Sequence, residues 1–340
     1  MRFALTKGDT QVSNVDQDGS SSRLGFLAQG RIDPDLAISA RTEVEWQYNR
    51  RSGTRDDNGD TTERLRARHV DLWTDHKDLG QLWLGKGSIA SDAATLISLS
   101  GTSWVFAFHG PGADDSLQAS QDGTANAAAR HGFTAFTGQR QSRIMYATPN
   151  VMGFRALVSH SEKDRIAAGL RYGGSPFGMK EVRAAMRFGW YRQAGQGATH
   201  DGMGDGPRKG TQHYGVSGGI LHVPTGLNIS ASWGRTDWGD DPTPDNHMDD
   251  RDPDMFAVEA GWTGSIWGMG ATSVSLGYGR WNGGGADKGH SDRVHTAVVQ
   301  RITPAATDVY FGVSYDTGKD KMEKDRDAVV IVLTGIRLRF

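Results

Sequence analysis

Cysteine is absent from all 340 residues, which excludes disulfides, cysteine metal sites and thiol catalysis. No run of about 18 apolar residues occurs, which excludes a membrane-spanning helix. The apolar fraction is only 36%, and mean hydropathy is -0.54. A strand-built membrane protein stays open, because a barrel strand is only half apolar and its sequence signal is weak. Charge of one sign is also lacking. The net charge of -2 gives no general pull toward nucleic acid. The eleven histidines show neither HExxH nor paired zinc spacing, and no GxSxG or GxxxxGK[ST] is present. A leader is lacking too: Met1-Arg2-Phe3 runs straight into a strand-like segment. Either the chain is cytoplasmic, or it is a mature form with an added Met, left after removal of a signal peptide; the second is favoured.

What is present is alternation. The segment from Asp327 to Phe340 reads DAVVIVLTGIRLRF. One parity holds Phe340, Leu338, Ile336, Thr334, Val332, Val330 and Ala328, and the other ends on Arg337 and Arg339. An apolar face that runs to a final aromatic suits a closing strand in lipid. Glycine at 46 and tryptophan at 10, with proline at only 10, suit tight strand packing and interfacial aromatic girdles.

The spacing predicts about sixteen strands, at roughly 2–8, 21–31, 36–49, 62–74, 80–88, 141–148, 153–161, 165–173, 181–192, 212–223, 226–236, 254–264, 271–281, 292–302, 305–315 and 327–340. Short links such as Asp33-Pro34-Asp35 are expected to alternate without exception with long polar ones such as 50–61 and 193–211. That is the asymmetry of an up-and-down barrel, and it makes 1–340 a single domain. The faces agree. Leu36, Ile38, Ala40, Val44, Trp46 and Tyr48 oppose Ser39, Arg41, Glu43, Glu45 and Gln47. Leu227, Ile229, Ala231 and Trp233 oppose Asn228, Ser230, Ser232 and Gly234. A soluble sandwich also alternates, so it remains the rival on pattern alone. Small outward residues (Ala40, Ala67, Ala156, Ala184, Ala231) suit packing against other subunits.

Strand four reads ERLRARH and puts Arg64, Arg66 and Arg68 on one face. Lipid would penalise each by roughly 2–4 kcal/mol at mid-depth, so they are expected to face water inside. Arg23, Arg41, Arg143, Arg155, Arg183 and Arg187 share inward parity. For any one of them the plainer role is an ion pair to a neighbouring strand or a loop anchor. The acidic stretches Asp56-Asp57-Asn58-Gly59-Asp60 and Asp240–Asp254 concentrate oxygen ligands, which leaves calcium open. Neither has full helix-loop-helix spacing, so solvated outer loops are the plainer reading.

Five segments carry a family resemblance: VDQDGSSSRLGF (15–26), DPDLAISARTEVEWQYN (33–49), GQLWLGKGSIASDAATLISLSGT (80–102), SRIMYATPNVMGFRALVSHSE (142–162) and GIRLRF (335–340). They resemble Gram-negative general porins of the sixteen-stranded, trimeric type, and more narrowly the alphaproteobacterial branch. The resemblance implies an all-β transmembrane barrel in the outer membrane, passive diffusion of small hydrophilic solutes and ions, no catalysis and no required cofactor. It implies a homotrimer among outer-membrane lipid and lipopolysaccharide. It further implies that the third long loop, about 91–140, folds into the lumen, where Asp92, Asp114, Asp115 and Asp122 would face the arginines. The barrel-assembly machinery would read Phe340, with Leu338 and Ile336 on the same face. Two rivals remain. A solute-selective channel would use an aromatic track, for which Trp83, Tyr191 and Trp281 are candidates. A barrel enzyme would use a Ser–His pair, for which His213 and Ser217 share a strand parity.

Overall fold

A computed structural model of the chain describes residues 2–6, 12–14, 22–47, 64–106, 140–162, 164–193, 210–237, 252–282, 289–319 and 328–339. Within them lie seventeen strands. They are β1 (Arg2–Thr6), β2 (Val12–Asn14), β3 (Ser22–Arg31), β4 (Leu36–Gln47), β5 (Arg64–His76), β6 (Gly80–Ser88), β7 (Arg140–Ala147), β8 (Phe154–Ser161) and β9 (Arg165–Gly174). Then follow β10 (Val182–Gln193), β11 (Gln212–His222), β12 (Leu227–Asp237), β13 (Asp254–Gly264), β14 (Thr272–Asn282), β15 (His290–Ile302), β16 (Thr307–Lys319) and β17 (Val329–Leu338). The sixteen expected strands all appear. The extra one, β2, is three residues inside the first expected link.

Every consecutive pair from β3 to β17 is antiparallel. β17 pairs with β1, and β1 with β2, so the first strand lies beside the last, as closure of a barrel requires.

Burial is inverted relative to a soluble protein. On β12 the exposed parity is Leu227, Ile229, Ala231 and Trp233, while Asn228, Ser230, Ser232 and Gly234 are buried. Phe26, Leu72, Ile144, Val158, Leu276, Phe311 and Leu338 continue the exposed apolar surface round the sheet. Each large apolar side chain left in water forgoes about 1.5–3 kcal/mol. The polar, charged and small residues occupy the protected side. A soluble sandwich would hide the other face.

Two departures have local causes. On β5 the register to β4 shifts: Val44 faces Ala67, but Glu43 faces His69, so Arg68 is an extra residue in a bulge. Inward parity passes from Arg66 to His69 and Asp71, and Val70 and Leu72 turn outward. The strict alternation of short and long links also fails. The β8–β9 link is only 162–164, although it lies at the long-loop rim. Pairing there runs unbroken to Ser161↔Arg165, and Asp164 turns the chain with a left-handed backbone at φ 51. Conversely, 175–181 and 265–271 are the longer turns of the opposite rim.

Candidate functional site

The inside of the sheet is crossed by a segment rather than left open. After β6 the chain turns inward, and residues 89–106 run along the inner wall from β8 to β17. Serine and threonine hydroxyls anchor it strand by strand. The Ala90 amide donates to Ser159 Oγ of β8 at 3.0 Å. Ser217 of β11 donates through Oγ to the Ala94 carbonyl at 2.7 Å and accepts the Ile97 amide at 3.1 Å. The Leu99 amide donates to Ser230 of β12, Ser98 donates to Glu259 of β13, and Thr102 and Ser275 of β14 share a hydroxyl bond of 2.6 Å.

Both ends of the described segment sit in apolar clusters. Ile89 and Ala90 pack with Met145, Ala147, Leu157, Ala167 and Tyr191. Val105 and Phe106 pack with Ala297, Val299, Tyr310, Ile331 and Leu333. Between the ends, glycines let two backbones approach. A Cβ at Gly189 would sit 2.8 Å from the Ser91 carbonyl oxygen, and one at Gly261 would sit 2.8 Å from Ser100 Cβ. Gly169 beneath Ala90, Gly219 beneath Leu99 and Gly312 beneath Phe106 complete the lane. Strand packing and turns, the roles that sequence assigns to glycine, do not include this lane.

The remaining arc, β3 to β7, carries charge. Arg66 pairs with Glu45; Arg68 donates to Glu43 at 2.7 Å and also to Glu45; Arg23 lies 3.8 Å from Glu43. Arg41 holds Asp71 through two bonds of 3.1 and 3.0 Å and reaches His69 Nδ1 at 2.8 Å. Arg143 donates to the same Asp71 at 2.8 Å and to the Ser88 and Gly85 carbonyls. Arg41 and Arg143 also lie against Trp73 and Trp83, which stack at 4.2 Å. Among the described residues of this cluster, Arg23, Arg41, Arg66, Arg68 and Arg143 share the carboxylates of Glu43, Glu45 and Asp71, so positive charge is in excess there. Arg66 and Arg68 therefore do not stand as bare repelling cations; glutamates on β4 hold them. The backbone of Arg64 pairs with Gln47 at the top of β5.

Several expected residues lie outside the described ones: Asp114, Asp115, Asp122, Phe340, Asp56–Asp60 and most of the 240–254 acids. Of the latter, Asp252 pairs with Arg235 at 2.8 Å and Asp254 accepts from Asn282. Among the described residues no group of His, Asp and Glu has metal-holding geometry. Leu338 and Ile336 are exposed on the outer face. Trp83, Tyr191 and Trp281 all lie on the inner side, but dispersed: Trp83 on Trp73, Tyr191 stacked on His213, and Trp281 beside Met255. His213 bonds Thr236, whereas Ser217 bonds the loop, so the two do not form a dyad.

A family model described as Gram-negative porin matches residues 3–321. Among solved structures, the chain is similar to an anion-selective porin from Comamonas acidovorans at 16% identity and TM-score 0.63, covering 100% of this chain and 96% of that one. It is similar to OmpT, an outer membrane protein of Vibrio cholerae, at 13% identity and TM-score 0.61, covering 100% and 95%. It is also similar to Salmonella typhi OmpF in complex with daunomycin, at 12% identity and TM-score 0.54, covering 99% and 95%. No curated protein sequence matches it significantly.

Proposed function

This chain belongs to the Gram-negative porin family, and on that premise we propose how its lumen works. It forms a water-filled channel in the outer membrane through which small hydrophilic solutes and ions diffuse passively. The observation that carries the mechanism is the segment 89–106 laid across one arc of the inner wall, with an arginine-rich arc that the described residues of the loop do not cover. The loop narrows the passage. The arginine-rich arc sets a transverse field that orders water and disfavours apolar solutes. Because arginines there exceed the carboxylates they contact, the field favours anions. A similar structure's description as an anion-selective porin agrees with that sign. The channel turns nothing over and needs no cofactor.

Three copies assemble, each with its own pore. Two observations support this: the trimer form recorded for the similar Vibrio cholerae OmpT, and the small outward residues Ala40, Ala156 and Ala231. Lipopolysaccharide meets the long-loop rim. The assembly machinery reads β17, where Ile336 and Leu338 stand outward.

Single-channel recording in a planar bilayer tests the whole reading. Discrete steps in KCl and a reversal potential of anionic sign under a salt gradient are expected. A detergent-folded protein without conductance, or one of cationic sign, would overturn the channel or its polarity respectively.

A further inference from the structure

Three arginines stand side by side on the loop-covered wall. Arg155 of β8 lies directly opposite Arg171 of β9, and Arg171 lies directly opposite Arg187 of β10. All three are on inward parity, with Leu157, Gly169 and Gly189 next along their strands. Like charges directly opposite one another in an antiparallel pair are destabilising, and here that penalty occurs twice.

Several other inward arginines are matched by carboxylates in contact: Arg66 and Arg68 by Glu43 and Glu45, Arg41 and Arg143 by Asp71, Arg293 by Asp316. The ladder is not. Among the described residues no carboxylate forms an ion pair with Arg155, Arg171 or Arg187. Arg155 donates to Gln81 Oε1 at 3.1 Å, yet its Nε is buried with no partner. Asp92 of the inward loop acts on Arg171 through its field, without an ion pair.

The three guanidinium groups line one cavity of about 520 Å³. Leu96, Ile97, Ser98 and Leu99 of the loop cover it on one side. Asn150 and Gly153 of the β7–β8 turn bound it toward the short-turn rim. The arginines remain part-exposed, so solutes in the lumen reach them.

We propose that this cavity is a binding subsite for small phosphorylated solutes. The guanidinium fork matches a tetrahedral oxyanion bidentately, and three forks in a row oppose a dianion with cations to spare. The cavity is larger than inorganic phosphate and has the size of a small-molecule site. A sugar-sized body fits against Leu96 and Leu99 while its phosphate meets the ladder. The inference rests on the reading of the chain as an open, anion-favouring channel, and adds to it. A general field favours every anion without saturating. A ladder with an orphaned donor holds one class of anion and saturates.

The test is single-channel recording in KCl with inorganic phosphate, glucose 6-phosphate or glucose titrated in. Both phosphates are expected to reduce the chloride current saturably, glucose 6-phosphate at the lower concentration, while glucose leaves the current unchanged. Arg171→Gln is expected to raise the half-blocking concentration about tenfold or more with KCl conductance little changed. Arg171→Lys keeps the charge but loses the fork, and is expected to fall between. It also carries the test if the glutamine variant does not assemble. Arg66→Gln with Arg68→Gln is expected to move the reversal potential and leave the block intact. A block that does not saturate, that glucose reproduces, or that Arg171→Gln and Arg171→Lys leave unchanged overturns the subsite while the channel stands. No KCl conductance at all overturns the channel reading, and the subsite with it.

Discussion

At the scale of single residues, the lumen charges are held rather than free. Asp71 has no exposed side-chain surface, Arg143 has 1%, and Arg41 completes the group at 30%. Removing one partner of a buried charge cluster strands the others. Asp71→Asn is therefore expected to destabilise the barrel by about 3–5 kcal/mol. Urea unfolding in lipid vesicles measures this, and an unchanged midpoint would mean that water screens the cluster. Arg68 and Glu43, at 11% and 19% exposed, are less deeply buried than Arg143 and Asp71 of the same arc. Arg68→Gln is expected to move the reversal potential toward cations, and Glu43→Gln toward anions. Movement of both in one direction would show that neither acts through the pore field. The inward facing of Arg23, Arg41, Arg66 and Arg68 was legible from parity alone. Their pairing was not, because it depends on which β4 residue stands opposite which β5 residue. The bulge at Arg68 decides that, and nothing in ERLRARH announces a bulge. The unpaired ladder was likewise hidden. Arg155 and Arg187 had inward parity in sequence, but Arg171 joins them only once the β8–β9–β10 register is fixed.

At the scale of elements, the inward loop is held by the strands it crosses. Its length was visible in sequence, and a link of that size argues for a functional loop. Its seat was not visible. Gly169, Gly189, Gly219, Gly261 and Gly312 are scattered through the chain and become a lane only when the strands align. At Gly189 the neighbours of an added Cβ include the Ser91 carbonyl oxygen and Cα, and backbone cannot swing aside as a side chain does. Gly189→Ala is thus expected to lift the first turn of the loop from the wall while β10 keeps its pairing. Ser217→Ala removes two anchoring bonds at Ala94 and Ile97, each worth about 0.5–1.5 kcal/mol. The double variant is expected to fold and assemble, to show noisier open-channel current, and to expose the loop to added protease. A quiet channel with a protease-resistant loop would mean that the apolar clusters at Ile89 and Phe106 suffice to fix it.

At the scale of the whole molecule, the decisive property is which side of the sheet is apolar. Strand positions and faces came from alternation, and alternation serves a sandwich as well as a barrel. The burial pattern separates the two: the apolar parity is exposed, and the polar parity lies against the inward loop and the lumen. The outer surface therefore needs lipid, and its tolerance to charge must depend on facing. Leu276 is near the middle of β14 and is exposed on the outer face. Leu276→Arg places a guanidinium in hydrocarbon, at a cost of about 2–4 kcal/mol near the midplane. Gln29 of β3 is opposite Ser39, on the inward parity. Gln29→Arg adds the same group at an exposed position on the lumen-facing parity, and the expected cost is within about 0.5 kcal/mol. Folding into vesicles, read as the heat-modifiable fraction on a semi-native gel and as the urea midpoint, compares the two directly. Leu276→Arg is expected to lose folded protein and Gln29→Arg to match the parent. Equal losses, or a larger loss for Gln29→Arg, would mean that the exposed apolar face meets protein or water rather than lipid at β14.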